Sequence, residues 1–293
     1  MTGTPGRPGQ RLTLADGRRL GYDDHGPRDG APIFYFHGAP SSRLDLRMFA
    51  GDGLAERLGV RVVAVDRPGC GLSDFQRRRR QRHWPADVAA LADALGIDRF
   101  EVLGWSGGGP YALACAAHIP RRITMATLVS SMGPHDVPGL AAGTNKQSMR
   151  FFGLNRDLPV VGRMFDRLMI CAATRHPTAF LERTVEALPE VDRNAMNAPA
   201  VSGAYLDAVT ESFRHGTRGP QADIALMVTK WDFDPGRIEV PVRVWHGEQD
   251  ADAPPGMGRW IAEHVPECEA RFLADEGHIS LIVNHAEAIL RRR

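Results

Sequence analysis

The run Gly104-Trp105-Ser106-Gly107-Gly108 constrains this chain more than any other stretch. The apolar segment Phe100-Glu101-Val102-Leu103 precedes it, and the alanine-rich segment from Pro110 to Ala117 follows. Together they predict a strand, a tight turn carrying a serine, and a helix that leaves at once. In such a turn the serine is held in a strained backbone conformation, with its hydroxyl pushed out at the sheet edge. Bulky side chains two residues to either side would collide, which accounts for Gly104 and Gly108. The helix start behind Ser106 leaves backbone N–H groups free to face a developing negative charge.

A serine alone is a weak nucleophile and needs a base and an orienting acid. Pro241-Val242-Arg243-Val244-Trp245 reads as a buried strand that delivers the acidic loop His246-Gly247-Glu248-Gln249-Asp250. Ala270-Arg271-Phe272-Leu273 reads as the next strand, followed by Asp275-Glu276-Gly277-His278 and a helix beginning at Ile279. Ser106, Asp250 and His278 thus follow one another in the order serine, acid, histidine. Asp252 lies in the same loop as Asp250 and is the rival acid. His285 is the rival base, although it falls within a helical pattern.

The chain resembles the α/β-hydrolase superfamily, in its serine-nucleophile branch with a helical cap. Four separated motifs carry the likeness: His37-Gly38-Ala39-Pro40 after a strand, Asp66-Arg67-Pro68-Gly69-Cys70-Gly71-Leu72-Ser73-Asp74 after the next, the serine turn, and the paired acid and histidine loops. The resemblance implies a mostly parallel central sheet with helices on both faces and an inserted helical cap. It implies Ser106 as nucleophile, His278 as base and Asp250 as the acid, by the H-G-x-x-D spacing. It also implies that the backbone N–H groups of Ala39 and Gly107 form an oxyanion hole. Gly38 would let the backbone approach the substrate, and Trp105 is a second pocket candidate. In relatives of this kind, His37 is a structural hydrogen-bonding residue more often than a base.

Strand–helix alternation organises the rest. Arg11–Leu14 and Arg19–Tyr22 read as an antiparallel hairpin, Ile33–Phe36 and Val60–Val65 as buried parallel strands, and Ile123–Val129 as the strand after the nucleophile helix. Asp87–Leu95 reads as an amphipathic helix ended by Gly96. From Gly133 to about Gly236 the alternation stops, and sheet pattern is expected to resume at Ile238-Glu239-Val240. This divides the chain into a first core part, 1–133, a helical cap, 134–236, and a second core part, 237–293. Pro138, Pro159, Pro177, Pro189 and Pro199 punctuate the cap segment. Its Phe, Met and Leu side chains, among them Phe151-Phe152, Met164-Phe165 and Leu168-Met169, each fit the insertion's own small core as well as a pocket wall, and the segment as a whole is expected to lie over the site as a lid.

A chain of 293 residues with 43% hydrophobic and 24% charged content is long enough for one large core plus an insertion. The net charge of +1 gives no electrostatic reason to expect nucleic acid or an anionic membrane as partner. No run is apolar and long enough to span a bilayer. The first nine residues lack the apolar core of a secretory signal and read as a loose leader. Cys70, Cys115, Cys171 and Cys268 show no C-x-x-C pairing, so free thiols in a reducing cytoplasm are expected. None of the histidines is assigned to a metal-ligand cluster, and neither metal nor cofactor is expected. The run Arg77-Arg78-Arg79-Arg80 with Arg82 reads as a solvated loop. The spacing says nothing of oligomeric state.

Ser106 stands where epoxide hydrolases and haloalkane dehalogenases of this fold carry an aspartate, so an alkyl-enzyme route is disfavoured. The expected activity is hydrolysis of a small, fairly apolar carboxylic ester, lactone or thioester through an acyl-enzyme. Two alternatives share the same motifs. One is a C–C bond hydrolase, lyase or cyclase using the same triad, and the other is a ligand-binding receptor that retains the pocket.

Overall fold

Near-continuous apolar runs become the inner strands of one sheet, because each must bury both of its faces. The structure is a computed structural model and describes residues 7–51 and 53–291. Its strands are β1 (Arg7–Thr13), β2 (Arg19–His25), β3 (Ala31–Phe36), β4 (Val60–Val65), β5 (Phe100–Trp105), β6 (Ile123–Val129), β7 (Val242–Gly247) and β8 (Cys268–Leu273). They lie in the order β1-β2-β4-β3-β5-β6-β7-β8. β2 is antiparallel to both β1 and β4, and every pairing from β4 through β8 is parallel. The expected hairpin is therefore present. Arg7, Pro8 and Gly9 of the expected loose leader belong to β1, while residues 1–6 lie outside the described residues.

Side chains alternate across the sheet with the period of a strand. Phe34, Phe36, Val63, Val65, Val102 and Leu128 face one core; Ile33, Tyr35, Val62, Ala64, Leu103 and Val129 face the other. The short helices α1 (Arg47–Ala50) and α2 (Leu54–Leu58) cover the second face. Helices α3 (Trp84–Ala94) and α4 (Gly109–His118) cover the first. From β3 the chain crosses to β4 on one side and returns to β5 on the other, so the carboxyl ends of β3 and β5 diverge. A ligand crevice belongs at such a divergence.

Between β6 and β7 the chain builds α5 (Lys146–Asp157), α6 (Pro159–Arg175), α7 (Pro177–Glu186), α8 (Glu190–Met196), α9 (Pro199–Ser212) and α10 (Arg218–Met227). Three of the expected breakers start helices: Pro159, Pro177 and Pro199 occupy first-turn positions, where a missing N–H costs nothing. The chain closes with α11 (Pro255–His264), α12 (Ser280–Asn284) and α13 (Ala286–Leu290). Ile238 and Val240 do not resume the sheet. They are buried against the first core, but strand pairing begins only at Val242.

A buried charge cluster fastens the helical insertion to the sheet. Arg67, which follows β4, places Nε and Nη2 at 2.9 and 2.7 Å from Asp223 Oδ2 on α10. Arg79 Nη2 donates to Asp223 Oδ1 at 2.5 Å and Tyr111 Oη donates to the same oxygen at 2.9 Å. The arginine run is thus not wholly solvated: Arg79 is buried, and Arg77, Arg78 and Arg80 are exposed. Burial alone would push the Asp223 carboxyl up, but Arg67 and Arg79 hold it well below the usual carboxylate range. Removing one member of such a cluster leaves buried charge uncompensated. Asp223→Ala is expected to lower the unfolding free energy by about 3–5 kcal/mol, read as a reduced urea midpoint.

Candidate active site

Ser106 follows β5 directly and has φ +53°, a left-handed conformation that a serine adopts only under constraint. The constraint is close backbone approach. A methyl group at Gly104 would stand 2.5 Å from Gly108 O, and one at Gly108 would stand 2.1 Å from Phe36 O. Neither position accepts a side chain, so the turn folds tightly against β3, and α4 starts at Gly109. Ser106 is 7% exposed, and that small surface opens on the crevice.

The sheet brings the distant acid and histidine loops together at the same edge. β7 ends in the loop carrying Asp250, and β8 leads into the turn carrying His278. His278 Nδ1 lies 3.0 and 2.9 Å from the two oxygens of Asp250. Asp250 Oδ1 also accepts the N–H groups of Asp252 at 3.0 Å and Ala253 at 2.8 Å, which fixes the carboxylate plane. His246 Nε2 stands 3.4 Å from Asp250 Oδ2. Burial disfavours the imidazolium, but the Asp250 carboxylate against Nδ1 outweighs it and pulls the His278 pKa upward. The same pairing, against burial, holds Asp250 well below the usual carboxylate range.

The rivals are occupied elsewhere. Asp252 Oδ1 accepts Asn145 Nδ2 at 2.5 Å and Ser148 Oγ at 2.6 Å, so it ties the loop to the start of α5. His285 falls at the junction of α12 and α13, with Nε2 2.9 Å from Glu276 Oε1. His37 is buried. Its Nε2 accepts the Arg67 N–H at 3.1 Å, and its Nδ1 lies 2.7 Å from Gly38 O. Those contacts require a neutral ring with the proton on Nδ1, and burial beside Arg67 lowers its pKa well below the ordinary value.

The loop after β3 lies over the serine. A methyl group at Gly38 would stand 3.7 Å from Ser106 Cβ and 3.2 Å from the Trp105 ring. A methyl group at Gly107 would stand 3.1 Å from Ala39 Cβ and 3.6 Å from Ala39 N, so the two backbones meet at the crevice. Arg67 holds this loop from below, donating to His37 O at 2.5 Å and Gly38 O at 2.7 Å. Asp45 Oδ2 accepts the Gly38 N–H at 3.0 Å and the Ser41 hydroxyl at 2.9 Å, and burial pushes its carboxyl up to about 7.

A cavity of about 160 Å³ opens between this loop, the serine turn and the insertion. Gly38, Ala39, Trp105, Ser106 and His278 all line it, as do Met132, Phe152, Leu188, Tyr205 and Asp252. Trp105 also donates from Nε1 to His278 O at 3.2 Å, so it serves both pocket wall and histidine turn. The insertion contributes Phe152, Leu188 and Tyr205. Met164, Phe165 and Leu168 face outward instead, at 46–71% exposure, because they lie on the outer side of α6. Arg67 was within reach of the sequence, inside the Asp66–Asp74 motif. Asp45, Asp192 and Asp223 carry no spacing signal that separates them from surface acids.

The chain matches the alpha/beta hydrolase fold family over residues 31–285. It is 31% identical over 264 residues to a non-heme chloroperoxidase of Streptomyces lividans, covering 86% of this chain and 87% of the relative. It is 30% identical over 247 residues to a bifunctional esterase/perhydrolase of Acinetobacter calcoaceticus, covering 83% of each. An esterase structure from Rhodococcus sp. superposes with a TM-score of 0.70 at 23% identity, covering 96% of each chain, and shares the fold. The chain belongs to the α/β hydrolase fold family. It is an enzyme of the carboxylic ester hydrolase type.

The histidine–carboxylate pair gives a direct spectroscopic expectation. In an NMR titration, the His278 imidazole should lose its proton above pH 6.5, the ordinary histidine value. Asp250→Asn should bring the midpoint down, because burial then acts against the cation with its main counter-charge gone.

Proposed function

We propose that this protein is a serine hydrolase that cleaves a small, fairly apolar carboxylic ester, lactone or thioester through an acyl-enzyme. The observation that carries the reading is the Asp250–His278 pair, which shares one cavity with a serine in left-handed conformation. Ser106 Oγ attacks the carbonyl carbon while His278 Nε2 takes its proton. Asp250 keeps the tautomer with Nδ1–H and stabilises the imidazolium. The backbone N–H groups of Ala39 and Gly107 receive the oxyanion. Collapse expels the alcohol or thiol, which takes the proton back from His278. Water then attacks the acyl-enzyme with the same histidine as base, and the carboxylic acid leaves.

The size and lining of the cavity support a compact, weakly polar acyl group. Residues 134–236 act in this reading as a cap that supplies Phe152, Leu188 and Tyr205 to the wall. The name of one relative, the esterase/perhydrolase, agrees with ester chemistry. Among the described residues no helix is long and apolar enough to cross a membrane. The four cysteines are free, which suits a reducing cytoplasm.

Turnover of p-nitrophenyl acetate and labelling by a fluorophosphonate probe test the reading. Both are expected in the wild type, and both should vanish in Ser106→Ala. Asp250→Asn should lower kcat by about 10⁴-fold while the fold survives. Turnover that persists in Ser106→Ala, or a wild type that the probe leaves unmodified, would overturn the proposal.

A further inference from the structure

The backbone of His278 is tied down on every side, and one of the ties comes from far away in the chain. Its side chain meets Asp250 and its carbonyl accepts the Trp105 indole N–H. Its amide donates to Asp192 Oδ2 at 3.0 Å, 86 residues earlier, on α8 of the helical insertion. The other oxygen of the same carboxylate accepts the N–H groups of Ile279 and Ser280, each at 2.8 Å. The Gly277 N–H turns instead to Ser280 Oγ at 2.8 Å. Gly277 itself is required by the approach, since a methyl group there would stand 2.5 Å from Asp192 Oδ2.

We infer that Asp192 is a positioning residue for the reaction, through which the helical insertion fixes the turn that aims the His278 imidazole. This rests on the serine-hydrolase reading. Two features separate Asp192 from an ordinary turn cap. First, the carboxylate is fully buried and, among the described residues, forms no ion pair with arginine or lysine. A neutral hydroxyl or amide would cap a turn without the cost of burying a charge. Second, the group whose charge answers it is His278 itself, with Asp250 and Asp252 the other carboxylates that face the ring. Burial pushes the Asp192 carboxyl up, while the three backbone amides and His278 pull it down, so the imidazolium that forms during attack on the carbonyl is attracted by Asp192 as well as by Asp250. Without the Asp192 carboxylate, three backbone donors would lose their acceptor together and the turn would keep only Asp250 and Trp105 to aim the imidazole.

The test uses the full chain, p-nitrophenyl acetate and Asp192→Asn. The asparagine side chain has one acceptor oxygen, so its NH₂ group must face a backbone donor. The expected result is a kcat reduced about 10–100-fold with KM changed less than about threefold, as for an interaction made in the transition state. The acidic limb of the kcat/KM profile should move to lower pH, because one of the three carboxylates facing His278 is gone. In a His278→Ala background, the same substitution should leave the residual rate unchanged, since Asp192 acts through that ring. An unaltered kcat and acidic limb in Asp192→Asn, or an equal loss in the His278→Ala background, would overturn the inference. If Asp192→Asn does not fold, Asp192→Glu keeps the charge but lengthens the arm. A kcat lowered at least about fivefold with the acidic limb unmoved then supports the inference, and an unchanged kcat overturns it. Wild type and Ser106→Ala run alongside. A wild type that neither turns over nor takes the fluorophosphonate sinks the serine-hydrolase reading, whereas normal wild-type behaviour with an indifferent Asp192→Asn sinks only this one.

Discussion

The site depends on how closely three backbones can approach one another where β3 and β5 diverge. Ser106 occupies a left-handed conformation because Gly104, Gly108 and the end of β3 lie within contact distance of each other. An ordinary side chain at either glycine would lift the turn off the sheet and release the strain. Holding a serine there costs on the order of 1–3 kcal/mol, which the surrounding packing must offset. The two cores on either face of the sheet supply that support, since every residue of β3's second half, β4 and β5 is buried.

Polar groups behind the crevice are arranged with the same tightness. Arg67 serves two purposes at once: its guanidinium pairs with Asp223 and its remaining donors hold the carbonyls of His37 and Gly38. Asp45 holds the amide of Gly38 from the other side. The loop that faces Ser106 is therefore positioned by hydrogen bonds at consecutive peptide units rather than by its own short sequence. Trp105 does the corresponding work for the histidine turn.

Strands β4 and β6 coincide with the largely apolar runs Val60–Val65 and Ile123–Val129, because strands in the middle of the sheet bury most residues on both faces. The serine turn, Asp250 and His278 were legible for a related reason: each lies in the loop after a strand, β5, β7 or β8, where glycine or acidic residues mark the exit. Ile238 and Val240 misled because burial alone does not make a strand; they pack against the core with no neighbouring strand to pair with. Arg79 was unreadable within its arginine run, since its partner Asp223 lies 144 residues away. The pocket wall was equally hidden. Phe152 and Tyr205 face inward while Met164 and Leu168 face outward, and only the docking of the insertion as a whole distinguishes them.

The helical insertion meets the core through desolvated carboxylates at three separated points, Asp223 against Arg67 and Arg79, Glu211 against Arg43, and Asp192 against the turn at 278–280. Parting the insertion from the sheet would break these hydrogen bonds together, and each carboxylate would exchange its protein donors for water as it left. The walls of the chamber and the aim of its histidine are therefore set by the same two helices, α8 and α10, and a change that unseats either helix alters both at once.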